Sequence, residues 1–401
     1  MSEKSESLPS NPLHVGQTRL RELVWVFLRL GTIAFGGPAA HAAMMEDEVV
    51  RRRGWMTREK FLDLLGAVNL IPGPNSTEMA IHIGYLRAGW PGLIVAGVCF
   101  ILPAMLIVIA LAWIYVRFGS LPEVEGLLYG VKPVVIAIIA QALFRLGSIA
   151  LKTYLLAVVA VLCVAANVLG ANEILLLLAA GAAMSLWQGG VRERCKNPRP
   201  LVVMILAVLG ILAIVYFVAL INMPSDTGYG LRPLFLFFLK VGSVLYGGGY
   251  VLLAFIQADL VSHWHWLTAN QLLDATAVGQ FTPGPLFTTA TFIGYLLGGL
   301  PGALVATVGI FLPAFVFAAL IGPFVHRVRE SSIAGAFLDG VNVASLALMA
   351  VVTWHLGRAA IIDPTTITLA VLCGVVLFRF RVNSAWLILA GAIVGVLVQA
   401  I

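Results

Sequence analysis

Apolar positions along this chain come in long uninterrupted runs, most of them near the ~20 residues that a helix needs to cross a bilayer. Thirteen such segments are predicted, at about 23–45, 61–86, 90–116, 126–144, 153–170, 173–188, 201–222, 233–256, 270–297, 301–324, 334–356, 365–379 and 384–401. The polar stretches between them are too short for a separate extramembrane domain. Residues up to Glu22 are polar, without the apolar core and small-residue cleavage site of a removable signal peptide.

Composition agrees with the pattern. Hydrophobic residues make up 60% of the chain and charged residues 11%, against about 45–50% and about 25% in soluble domains. Lipid must therefore solvate most of the surface. The net charge of +6 speaks mainly to topology, because Lys and Arg collect in cytoplasmic loops. Cys99, Cys163, Cys195 and Cys373 show no CxxC spacing and read as small hydrophobic residues in a reduced setting.

The segments repeat. A shift of 211 residues brings Arg29, Gly36, Gly37, Trp55, Asp63, Pro72, Gly73, Pro74 and Thr77 onto Lys240, Gly247, Gly248, Trp266, Asp274, Pro283, Gly284, Pro285 and Thr288. After one deletion the shift is 210, and Gly84-Tyr85, Pro103, Gly130 and Cys163 meet Gly294-Tyr295, Pro313, Gly340 and Cys373. Matched Gly, Pro, Trp, Asp and Cys at one register mark a duplication. The parts are a polar segment 1–22, a first repeat 23–190, a basic loop and linker helix within 191–230, and a second repeat 231–401.

Loop charge alternates between the halves. Arg51, Arg52, Arg53, Arg58 and Lys60 meet a stretch, 262–271, without Lys or Arg, and Glu173 falls near Arg379 and Arg381. That alternation predicts inverted repeats, the common plan of secondary transporters. The expected fold is an all-α polytopic membrane protein with two inverted repeats, a linker transmembrane helix and Pro/Gly-broken helices. If the basic loops at 51–60, 192–199, 326–329 and 379–381 share one side, the first two segments of each half make no net crossing. The alternative is thirteen full spans.

Pro72-Gly73-Pro74 and Pro283-Gly284-Pro285 interrupt apolar runs. No α-helix runs straight through such a triplet, and unpaired backbone in lipid costs several kcal/mol per group. A half-helix is expected from Pro74 through Asn75, Ser76 and Thr77, and another from Pro285 through Thr288 and Thr289. Helix starts carry partial positive charge and bind anions; a packing kink is the competing account. The runs at Gly36-Gly37 and Gly247-Gly248 break a helix for close approach or for packing, and in inverted halves they face the PGP turns.

Arg29 and Lys240 keep a cation at one register, to attract an anion or to snorkel toward the interface. Glu78 meets Thr289, and Lys132 meets Asn342, so the halves are not equivalent. An acid at membrane depth is a candidate proton carrier; a helix-capping carboxylate is the plainer reading. Glu46, Asp47 and Glu48 suggest an interfacial ion-pair network or a gate, with only Glu48 keeping its acid, as Asp259. His41 and His82 titrate near neutral pH in water. No metal site, cofactor site or ATP-binding motif is found, and the chain is not expected to be an enzyme or to bind nucleic acid.

Several of these motifs together resemble the chromate ion transporter (CHR) family in its long two-domain form. The carrying residues are Phe35-Gly36-Gly37-Pro38, Gly54-Trp55-Met56, Asn69 to Pro74, Gly84-Tyr85, Tyr246 to Gly249, Gln280 to Pro285 and Gly294-Tyr295. The resemblance implies a bacterial inner-membrane exporter of chromate that confers chromate resistance, with sulfate as natural competitor. Its partners would be the oxyanion, the bilayer and, as an open option, a second copy of the chain. A passive oxyanion channel or a sulfate transporter on the same scaffold is the alternative, and a membrane-embedded chromate reductase is a third class.

Overall fold

The computed structural model describes residues 12–69, 71–119, 121–192, 229–246, 249–321, 332–380 and 382–399. The described residues are almost wholly helical. In the first half the elements are α1 (Pro12–Ile33), α2 (Gly37–Glu46, widening into a π turn at Asp47–Arg52), α3 (Arg58–Val68), α4 (Asn75–Phe118), α5 (Pro122–Ala150), α6 (Tyr154–Val168) and α7 (Glu173–Arg192). In the second half they are α8 (Leu231–Val244), α9 (Leu252–Phe255, with a π turn at Ile256–His263), α10 (Ala269–Phe281), α11 (Thr289–Ile321), α12 (Ser332–Ala360), α13 (Pro364–Arg379) and α14 (Ser384–Gln399). Each helix has its counterpart seven places on, so the duplication is a duplication of structure. Gly247, Gly248, Cys195, the linker helix expected at 201–222 and the loop at 326–329 lie outside the described residues.

The first two segments of each half are hairpins that dip into the membrane and return. Arg87 pairs with Glu22 at 2.8 Å and stacks 5.0 Å over Trp55, and Arg53 also lies over Trp55. Residues 22, 53–55 and 87 therefore share one face. Between them the chain turns twice at depth, at 34–36 and at 72–74, where the His41 ring bridges Ala34 and Ser76. Gly31 lies against the Phe100 carbonyl, and ten helical residues rise about 15 Å, half of a hydrocarbon core of about 30 Å. The apolar run 61–86 is thus two short helices meeting at mid-depth, because Pro72 and Pro74 cannot sit inside one.

Non-helical backbone at Ala88 and Gly89 then folds α4 back on itself, with Gly84 against the Gly92 carbonyl. The outer limb, 90–118, is long enough to cross the bilayer. Gly298 and Gly299 make the same reversal in α11. Four helical stretches among the described residues are long and apolar enough to span: Asn75–Phe118, Pro122–Ala150, Leu286–Leu320 and Gly335–Ala360.

The halves are inverted. Leu93, near the start of the first outer limb, packs with Ala314 and Ala318, near the end of the second. Tyr115, near the end of the first, meets Phe292 and Asp274 of the second half. The two outer limbs therefore run antiparallel, and the second half's entry face, where Tyr229 stacks on Trp266 at 5.6 Å, lies opposite the first half's. Counting crossings along the helices from these ends puts Arg51, Arg52, Arg53, Arg58, Lys60, Arg87, Lys152 and Arg379 at helix ends on one side, and Arg117, Arg232 and Arg358 at helix ends on the other. The positive-inside rule assigns the basic face to the cytoplasm.

The C-terminal helices exchange partners between halves. Helix α5 packs on α13 and α14 of the second half, and α12 packs on α6 and α7 of the first. Contact is backbone to backbone: a Cβ on Gly130 would come within 2.0 Å of the Gly391 carbonyl, and one on Gly340 within 2.3 Å of the Ala180 carbonyl. Small residues permit such approach in lipid, where packing replaces the hydrophobic effect as the cohesive force. Neither sequence repeat folds as a closed unit, since each buries its last two helices against the other.

In a cysteine-free background, Lys60→Cys is expected to label only from the cytoplasmic side and His263→Cys only from the opposite side, using an impermeant maleimide. Labelling of both from one side would contradict the inverted arrangement.

Candidate functional site

The four hairpin tips meet at mid-depth and satisfy one another's backbone. Gly73 N–H donates to the Leu245 carbonyl at 2.9 Å, and Gly284 N–H donates to the Ala34 carbonyl at 2.8 Å. The bonds are symmetry mates: each joins the PGP turn of one half to the residues just before the glycine run of the other. Both turn glycines need positive φ, +135° at Gly73 and +93° at Gly284. Neither has room for a side chain. A Cβ on Gly73 would sit 2.6 Å from Glu78 Oε1, and one on Gly284 would sit 2.7 Å from Ala104 Cβ.

The half-helix after Pro74 begins at Asn75, as expected from the sequence. Thr77 and Glu78 donate their amides to the Pro74 carbonyl, leaving those of Asn75 and Ser76 without a backbone acceptor among the described residues. Asn75 Nδ2 donates to Asn69 Oδ1 at 2.6 Å. Asn69, Asn75 and Ser76 line a cavity of about 220 Å³ with Pro38, Ala39, Ala42, Leu65 and Met79. At ~30 Å³ per water molecule, that is room for a tetrahedral oxyanion and part of its hydration shell. It lies among the limbs of the first half's hairpins, on the basic-face side of the tips. Asn69 and Pro38 entered the sequence reading only within the motifs that carry the family resemblance, not as site residues, and the apolar lining residues Ala39, Ala42, Leu65 and Met79 carried no signal.

At two of the three polar lining positions the second half carries apolar side chains instead. Leu286 and Phe287 stand where Asn75 and Ser76 stand in the first half, and Phe287 packs on Phe311. Thr288 donates its hydroxyl to the Pro285 carbonyl and Thr289 to the Leu286 carbonyl, so both hydroxyls are used by their own backbone. Three polar side chains in the first half's inner limb differ: Thr77 Oγ1, both oxygens of Glu78 and His82 Nε2 are buried without a hydrogen-bond partner among the described residues. Glu78 points at the Gly73 turn and lies within electrostatic reach of Tyr246.

The charged candidates lie elsewhere. Arg29 pairs with Glu48 at 3.7 Å, and Arg53 holds the same carboxylate at 2.7 Å. Lys240 pairs with Asp259 at the matched position. The π turns that carry Glu48 and Asp259 are themselves matched, and each aims its acid at the first helix of its own half; such turns are rare and concentrate at functional sites. Asp47 and Glu46 pair with Arg52 and Arg58, so this acidic cluster is an ion-pair network. Lys132 lies 3.5 Å from Asp274, whose other oxygen accepts from Tyr115. The structure thus brings Gly36, Gly37 and Pro72 to Thr77 together with Pro283 to Pro285. It leaves Arg29, Lys240, Glu48, Asp259 and Lys132 outside that junction.

A family model described as "Chromate transporter" matches residues 21–186 and again 232–396. This chain belongs to the chromate transporter family. The two matches bracket the two structural halves. The chain is 34% identical over 398 residues to the chromate transport protein of Cupriavidus metallidurans, covering 96% of this chain and 95% of that one. It is 31% identical to the chromate transport protein of Pseudomonas aeruginosa, over 93% of this chain and 91% of that one. With the probable chromate transport protein of Synechococcus elongatus the identity is 30%, over 94% and 95%. No solved structure matches. As a family member with bilayer-length apolar helices, the chain is a multi-pass membrane protein, and the bacterial inner membrane fits as its location.

Gly284→Ala meets both a positive φ and a filled space, each costing roughly 1–3 kcal/mol. The purified variant is expected to lose at least several degrees of thermal stability. Gly374→Ala, at a helical site where a Cβ meets nothing within 4 Å, should leave it unchanged.

Proposed function

We propose that this transporter exports chromate, with sulfate as a competing tetrahedral dianion, and that the oxyanion binds at the start of the first PGP half-helix. The observation that carries the reading is the cavity lined by Asn69, Asn75 and Ser76, placed where the helix start offers free amides. Uncharged donors and a helix N-terminus suit an anion that must also leave, because a fixed cation in the site would hold it too tightly. Arg29 and Lys240 act from a distance on the local potential. Their partners Glu48 and Asp259 open and close the two entry faces.

The cavity lies in the cytoplasmic half of the membrane, which suits loading for export. A dianion leaving a negative interior gains about 2.3 kcal/mol per charge per 100 mV, so the membrane potential alone is a sufficient driving force. The tip junction favours a carrier over a passive channel, since the crossed hydrogen bonds close the centre. Counterflow separates the two: a carrier shows trans-stimulation and an open pore does not. Recovery of transported chromium still as Cr(VI) excludes a reductase.

Hydrogen bonds to a charged group contribute about 1.5–3 kcal/mol. Asn75→Ala is therefore expected to raise the half-saturating chromate concentration roughly 10- to 100-fold in inverted vesicles. Leu286→Ala, its symmetry mate, should change it less than about twofold. Pro72→Leu should abolish uptake while leaving insertion intact. Normal chromate transport by Pro72→Leu would refute the site.

A further inference from the structure

We propose that His41 is a proton-binding residue coupled to the oxyanion, so that the anion and one proton occupy the site together. The inference rests on the oxyanion position at Asn75 and Ser76 given above. His41 lies on α2, 2% exposed. Its Nε2 is 3.0 Å from the Ala34 carbonyl, which only an N–H can satisfy, so Nε2 carries a hydrogen. Its Nδ1 is 3.0 Å from Ser76 Oγ. The proton on that side can belong to either atom, and the choice decides what Ser76 offers to the cavity.

With a neutral ring, Nδ1 accepts from the Ser76 hydroxyl. Ser76 then presents oxygen lone pairs to the cavity, which repel an anion. With a protonated ring, Nδ1–H donates to Ser76 Oγ, and the serine hydroxyl is free to rotate and donate to the anion. One proton from water binds Nδ1, and no other bond changes. A buried imidazolium without a counter-charge is costly, so the empty site holds the ring neutral. The arriving dianion supplies the counter-charge, and each event favours the other.

The groups on the elements packed against α2 do not replace it. On α1, Arg29 is paired with Glu48. On the π turn, Asp47 and Glu48 are held by Arg52 and Arg53. On α3, Asp63 is exposed, and Arg58 is paired with Glu46. On α4, Glu78 and His82 are buried and do not line the cavity. The second half has Leu252 at the matching position, so the device exists once. It also reaches the tip junction, because the carbonyl of Ala34 that accepts from His41 is the one that accepts Gly284 N–H.

The test is calorimetry of chromate binding to the full chain in lipid nanodiscs, in mildly alkaline buffers of different ionisation enthalpy. Uptake of about one proton per chromate is expected, with affinity falling about tenfold per pH unit as pH rises between the titration of the empty site and that of the occupied site. His41→Gln keeps a donor for Ala34 and should bind chromate without proton uptake and without that pH dependence. Ser76→Ala should bind more weakly and lose the uptake, which covers failure of the first variant to fold. Chromate binding to the unaltered protein without proton uptake overturns the coupling but not the anion site. Uptake that persists in His41→Gln overturns the assignment to this residue. Absence of any chromate binding overturns both.

Discussion

Backbone amides that leave a helix inside a membrane must find an acceptor in the protein, because lipid offers none. The two hydrogen bonds from Gly73 to Leu245 and from Gly284 to Ala34 answer that requirement. Much of the architecture follows from them. Each half interrupts its first segments at mid-depth, and each interruption is satisfied only by the other half. The inverted relation of the repeats is what lets the tips arrive from opposite faces and pair. The exchange of α5, α12 and their partners locks the same two halves together around the junction.

Symmetry built the scaffold, and its breakdown built the cavity. Asn75 and Ser76 against Leu286 and Phe287 and His41 against Leu252 put the polar member in the first half, and Glu78 against Thr289 puts the ionisable one there. The first half-helix faces a cavity, whereas in the second Phe287 packs on Phe311 and the hydroxyls of Thr288 and Thr289 donate to carbonyls of their own turn. On this account the second half supplies the acceptors and walls that let the first half keep an open, polar helix start.

The sequence revealed the fold more fully than the site. Gly, Pro and Trp matched at one register exposed the duplication, and the alternation of loop charge exposed the inversion, because both effects are written in residues rare in lipid-facing positions. Counting basic loops set re-entrant first segments against thirteen full spans, and the loops at 192–199 and 326–329 on which that count leaned lie almost wholly outside the described residues. The exchange of helices between halves was not legible, since Gly130 and Gly391 look like any glycine in an apolar helix until their partners are known. Arg29 and Lys240 drew attention as charges at depth, yet their pairing with Glu48 and Asp259 depends on a π turn that no local pattern announces. His41 looked like a lone histidine because its partner Ser76 is 35 residues away.

The central claim is that the oxyanion rests on the first PGP half-helix and on no charged side chain. Anomalous diffraction at the chromium edge, from crystals of the full chain grown with chromate, locates the anion directly. The account predicts one peak within hydrogen-bonding reach of the Asn75 and Ser76 amides. A peak beside Arg29, Lys240 or Lys132, or against Thr288 in the second half, would contradict it.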